Sequence, residues 1–158
     1  MKIAVIMGSK SDLPKLESGI ELIKSMGVDV VVRVLSAHRT PVELSTFLEE
    51  IEGNVDVIVA AAGKAAHLPG VVAAQTLIPV VGLPIKSSTM DGLDSLLSMV
   101  QMPGGIPVAT VTIDSGLNAA LMALQIGSIK YPEIKEQLKK YRIEMAQKVL
   151  DDDKSLNN

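Results

Sequence analysis

Five short apolar runs punctuate this chain of 158 residues: KIAVIM (2 to 7), VDVVVRVL (28 to 35), VDVIVAAA (55 to 62), PVVGLP (79 to 84) and PVATVTI (107 to 113). All are strand-length, most are rich in Val and Ile, and Gly, Pro or Ser bounds them, which is the pattern of buried β-strands. Neither face of a run is polar, so the strands are expected to be parallel and covered on both sides. Between the first two runs Leu13, Leu16, Ile20 and Ile23 recur at steps of 3, 4 and 3, one face of a helix, and Gly27 ends it. Leu44, Phe47, Leu48 and Ile51 repeat the pattern before Gly53, and segments 66 to 77, 90 to 101 and 115 to 128 supply three further helices. A β-α-β-α series with right-handed crossovers predicts an α/β fold, a three-layer doubly wound parallel sheet.

Composition narrows what such a sheet does. The length suits one domain spanning 1 to 158, enough to remove roughly two thirds of its unfolded surface from water. With only Phe47, Tyr131 and Tyr141 as aromatics, the core is aliphatic. A net charge of -3, no basic stripe in the first 130 residues and so few rings to stack bases argue against a nucleic-acid surface. The start MKIAVIMG is too short for a secretory signal, and no window of 18 uncharged apolar residues argues for a membrane span. Zero cysteines exclude disulfides and thiolate chemistry, and the expected compartment is the cytoplasm.

From Lys130 the composition turns to mixed charge, yet Ile134, Leu138, Tyr141, Met145 and Val149 keep helical spacing. This predicts a C-terminal extension helix over 130 to 150, with 151 to 158 frayed. Its apolar stripe packs either on its own domain or across a subunit boundary.

Ligands of an open parallel sheet bind beyond the carboxyl ends of the strands, so the segment after each run is where chemistry is expected. After the first comes GSKSD (8 to 12): Ser9, Ser11 and Asp12 precede a helix whose free amides favour phosphate, although Ser and Asp there also serve as N-caps. After the second comes SAHRTP (36 to 41). Thr40 and Pro41 suit a helix start. His38 and Arg39 have no such structural reason: one is suited to proton transfer near neutral pH, the other offers a planar fork for phosphate or carboxylate. After the third comes AAGKAAHLPG (61 to 70), whose small residues let a ligand approach and which carries the second histidine, His67. PIKSSTMDG follows the fourth run as another polar loop, and SMVQMPGGIPVAT (98 to 110) reads as a turn before the last strand. Two histidines without a carboxylate cluster do not match a metal site, and no G-x-G-x-x-G or G-x-S-x-G occurs.

GSKSD, SAHRTP and AAHLPG in order, followed by DSLLSMVQMPGGIPVAT, resemble the class I PurE enzymes, the N5-carboxyaminoimidazole ribonucleotide mutases of de novo purine synthesis. The likeness covers essentially the whole chain. It implies a flavodoxin-like fold, a homo-octamer whose C-terminal helices contact neighbouring subunits, and movement of a carboxylate from the exocyclic nitrogen to C4 of aminoimidazole ribonucleotide without metal or organic cofactor. It places the proton-transfer role on His38. Ser9, Ser11 and Arg39 would hold the 5′-phosphate and Asp12 the ribose hydroxyls. Ser36 completes the set, with Gly63, Ala66, His67 and Leu68 enclosing the base and the released carbon dioxide.

One position departs from the family pattern: Lys64 stands where a second glycine is usual, beside the presumed carboxylate site. The related class II enzymes, which carboxylate aminoimidazole ribonucleotide directly, carry a basic residue near this place. That carboxylase is the second reading, separated by which substrate is consumed. A non-catalytic nucleotide sensor is the third, separated by whether His38 matters to any output. A true flavodoxin is disfavoured, since three aromatics are too few to flank a flavin ring.

Overall fold

The computed structural model describes residues 1–88 and 90–157; Thr89 of the polar loop after the fourth run and Asn158 lie outside the described residues. Strands β1 (Lys2–Met7), β2 (Asp29–Val34), β3 (Val57–Gly63), β4 (Val80–Ile85) and β5 (Ala109–Thr110) form one sheet in the order β2-β1-β3-β4-β5, every pair parallel. This is the doubly wound, flavodoxin-like order, with its switch point between β1 and β3.

The pleat sends alternate side chains of a strand to opposite faces, and each face has its own helices. Ile3, Val5 and Met7 pack under α1 (Leu13–Ser25) and α5 (Gly116–Gly127), joined by Ile134 and Leu138 of α6 (Pro132–Leu156). Ala4 and Ile6 face α2 (Pro41–Ile51) and α3 (Leu68–Ala73), with Met99 of α4 (Leu93–Val100). These five β1 residues are at most 1% exposed, and each fully buried Ile, Val or Met stabilises by about 1.5–3 kcal/mol. Gly27 ends α1 as its spacing implied, at φ 69° with its amide donating to the Lys24 carbonyl.

Several boundaries differ from the sequence reading, each for a local reason. The last strand is expected over 107 to 113, but only Ala109–Thr110 pairs. Pro107 and, on the neighbouring strand, Pro84 have no N–H to give to a ladder. Val111 and Asp114 still donate to the carbonyls of Gly82 and Pro84, so the chain follows β4 without regular pairing. α4 starts three residues later than the expected 90, because Asp91 sits at φ 57° in the left-handed region. α3 is six residues rather than the expected twelve; it gives way to a turn in which Thr76 Oγ1 accepts from the Ile78 amide, leading into Pro79.

Two corrections concern surfaces. β2 is an edge strand and is not covered on both faces: Val32 is 39% and Val34 50% exposed. On the other face Arg33 lies 4.6 Å over the ring of Phe47. The terminal helix starts at Pro132 and runs to Leu156, well into the segment 151 to 158 expected to fray. Its last turns carry their own polar ties, Gln147 Nε2 to Asp151 Oδ1 at 2.8 Å and Asn157 Nδ2 to the Asp153 carbonyl at 2.9 Å. The apolar stripe of this helix divides. Ile134 and Leu138 are buried against their own chain, whereas Met145 and Val149 are more than half exposed.

Candidate active site

The loops after β1, β2, β3 and β4 meet at the carboxyl ends of the strands around a cavity of about 610 Å3. Gly8, Ser9, Ser11 and Asp12 line it from the first loop and Ser36 to Arg39 from the second. Ala62, Gly63, Lys64, Ala66 and Leu68 come from the third, and Ile85 to Ser88 from the fourth.

The first two loops are tied together. Thr40 stands at the N-cap of α2 but makes no side-chain cap; its hydroxyl instead accepts from the Ser36 amide at 2.8 Å and donates back to the Ser36 carbonyl at 3.1 Å. That closes the SAHRT turn. The backbone amide and Nε of Arg39 both donate to Ser36 Oγ, at 3.2 and 3.3 Å, and Nη2 donates to the Gly8 carbonyl at 2.6 Å. The guanidinium therefore joins the two loops while lining the cavity.

Ser9 caps the 3₁₀ turn Lys10–Asp12: its Oγ accepts from the Ser11 amide at 3.3 Å and from the Ser11 hydroxyl at 2.8 Å. Asp12 precedes α1 without capping it, so the alternative reading of this segment as ordinary caps fits Ser9 and not Asp12. It is the one carboxylate among the described lining residues. Burial pushes its carboxyl above the ordinary value, against the hydrogen bonds of Ser9 and Ser11 and the charge of Arg39, which pull the other way. His38 is exposed at the cavity, and among the described residues no hydrogen bond engages its ring.

His67 is the one candidate that the structure keeps out of the lining. Its flanking residues Ala66 and Leu68 face the cavity, but its own Nε2 lies 3.3 Å from Sδ of Met102. Every other residue named from the sequence lines the site.

Several lining residues carry no individual signal in the sequence. Ala37 lies inside SAHRTP, Ile85 ends β4, and Lys86 to Ser88 belong to a loop legible only as polar. That loop is set by carboxylates. The Lys86 amide donates to Asp114 Oδ1 at 2.8 Å, Lys86 Nζ pairs with Asp91 at 2.6 Å, and the Ser87 hydroxyl donates to Asp94 at 2.9 Å. Partial burial pushes the Asp114 carboxyl up, but hydrogen bonds from Lys15 and Lys86 and the charges of both lysines outweigh it and leave the group below its ordinary value. Lys64 lines the cavity with φ 59°, a left-handed backbone that glycine adopts without strain, and among the described residues it has no ion-pair partner.

A model of the family described as AIR carboxylase matches residues 2–148. The chain belongs to the AIR carboxylase family. Relatives in it include two proteins named N5-carboxyaminoimidazole ribonucleotide mutase. That of Pyrococcus abyssi is 59% identical over 145 residues, covering 91% of this chain and 83% of its own. That of Thermotoga maritima is 48% identical over 151 residues, covering 95% and 88%. The crystal structure of Treponema denticola PurE superposes with a TM-score of 0.91 at 30% identity, covering 99% of each chain. In this AIR carboxylase family member, then, the four loops around the cavity are the place to look for the chemistry.

Proposed function

We propose that this protein is an isomerase that converts N5-carboxyaminoimidazole ribonucleotide to 4-carboxyaminoimidazole ribonucleotide in purine biosynthesis. The observation that carries the reading is the convergence of His38, the Arg39 fork and the Ser9–Asp12 loop on one cavity, in a chain 59% identical to a protein named as that mutase.

Ser9, Ser11 and Arg39 hold the 5′-phosphate, where a guanidinium and two hydroxyls supply charge-assisted hydrogen bonds. Asp12 takes the ribose hydroxyls as donors, which adds to the hydrogen bonds of Ser9 and Ser11 that already favour its charged form against burial. Ser36, the small residues Gly63 and Ala66, and Leu68 surround the base. The bond between the exocyclic nitrogen and the carboxylate carbon breaks, carbon dioxide leaves, and the nitrogen takes a proton from His38. C4 then attacks the retained carbon dioxide, and the C4 proton returns to His38. One imidazole serves both steps and ends as it began. Enclosure of the carbon dioxide is a positioning effect, and it asks for small residues close to the base.

The same reading takes the protein as a cytoplasmic homo-octamer. The exposed outer half of the α6 stripe, Met145 and Val149, and the uncovered Val32 and Val34 of β2 support burial against neighbouring copies. No helix among the described residues is long and apolar enough to cross a membrane.

Supplying N5-carboxyaminoimidazole ribonucleotide to the purified protein and following the isomer spectrophotometrically tests the function. Rapid isomerisation without added bicarbonate is expected. Inertness toward that compound, with turnover of aminoimidazole ribonucleotide plus bicarbonate, would make the protein a carboxylase instead.

A further inference from the structure

The second histidine and the MPGG turn are left over from the mechanism, and they touch each other. Met102, from the turn after α4, brings Sδ to 3.3 Å from Nε2 of His67. Both groups lie over Gly70 in α3. A Cβ on that glycine would meet the imidazole at about 2.5 Å from Cδ2 and Met102 Sδ at 2.9 Å. Neither distance is open to a real side chain, so the bare face of Gly70 is what lets imidazole and thioether sit together. A thioether sulfur only accepts hydrogen bonds, so this contact asks for the proton on Nε2.

The contact has a route to the site. Ala66 and Leu68, the chain neighbours of His67, line the cavity, and Leu68 is 2% exposed beneath it. Holding the ring of His67 holds the segment between them.

We propose that His67 is a positioning residue: seated on Gly70 against Met102, it fixes the wall formed by Ala66 and Leu68 and thereby the fit of the substrate's base end. This rests on the mutase reading above. His67 touches no reacting atom in this account, and the MPGG turn acquires a task, which is to buttress the loop after β3 from outside.

The test compares His67→Ala, Gly70→Ala, their double variant and His67→Gln in the mutase assay, after thermal melts establish which are folded. Gly70→Ala evicts the ring without altering it. Either single change is expected to lower kcat/KM by roughly 10- to 100-fold, the scale of a misplacement of about 1 Å. The double variant should lose no more than the worse single one, the pH profile should keep its shape, and His67→Gln, which restores a terminal N–H, should recover part of the loss. Wild-type behaviour of Gly70→Ala, additive losses, or a changed pH profile in His67→Ala would overturn the proposal. Backbone amide shifts of Ala66 and Leu68 in the unliganded Gly70→Ala protein give a readout independent of the reaction. They are expected to move, and unmoved shifts would also overturn it. An inactive wild type with moved shifts would sink the mutase reading and leave the contact standing.

Discussion

The two sides of the cavity are built on different terms. The side made by the loops after β1 and β2 is knit by short polar contacts, with Arg39 reaching Gly8 at 2.6 Å and Ser36 locked to Thr40 from both directions. Among the described residues the side made after β3 has no such net: it rests on small residues, the buried Leu68, a left-handed Lys64 and the outside support of His67 on Met102. On the proposed reading, polar ties suit the end assigned to the phosphate, because a charge must be met by donors already in place. Small, apolar packing suits the end to which the same reading assigns the base and a transient carbon dioxide, where shape matters more than charge.

Breaking the tied side should have the larger effect. Arg39→Met removes both the link to Gly8 and the proposed phosphate fork, and kcat/KM is expected to fall on the order of 100-fold, the upper range of the roughly 1.5–3 kcal/mol of a charge-assisted hydrogen bond. Arg39→Lys should rescue little, since an ammonium cannot reach Ser36 and Gly8 at once. Steady-state kinetics with a rise confined to KM and a full rescue by lysine would show that the link between the loops is dispensable.

Relaxing the other side should change little. Lys64→Gly relieves a left-handed L-residue worth roughly 1–2 kcal/mol, offset by roughly 0.5–1 kcal/mol of added freedom in the unfolded chain. The urea midpoint is expected to rise slightly, with the relative rates on the two candidate substrates unchanged. A shift in that preference would assign the Lys64 ammonium a role at the carboxylate, and a lower midpoint would place the strain elsewhere.

Much of this was readable before the fold was known, and the residues say why. Strand ends are marked by the switch from Val and Ile to Gly, Ser and His, so the β1, β2 and β3 loops announce themselves, and local chain order alone brings His38 beside Arg39. The orientation of His67 was not readable. Its place in AAHLPG matches that of its neighbours, and only the packing of Met102, 35 residues away, turns the ring aside. The coverage of β2 is hidden for a similar reason: an edge strand and a central one share the same valine-rich composition, and only the pairing order separates them. The full length of α6 is not legible because its acidic end looks soluble and loose, whereas its side chains bond back along the helix.

The central claim is that His38 carries the proton and does little else, and it is tested most directly by measuring turnover and substrate affinity together in His38→Asn. The account predicts that isomerisation of N5-carboxyaminoimidazole ribonucleotide falls by about 10²–10⁴-fold, the usual contribution of a positioned acid–base group, while the dissociation constant measured by calorimetry stays close to that of the wild type. Isomerisation at the wild-type rate, or a loss seen wholly in binding, would contradict it.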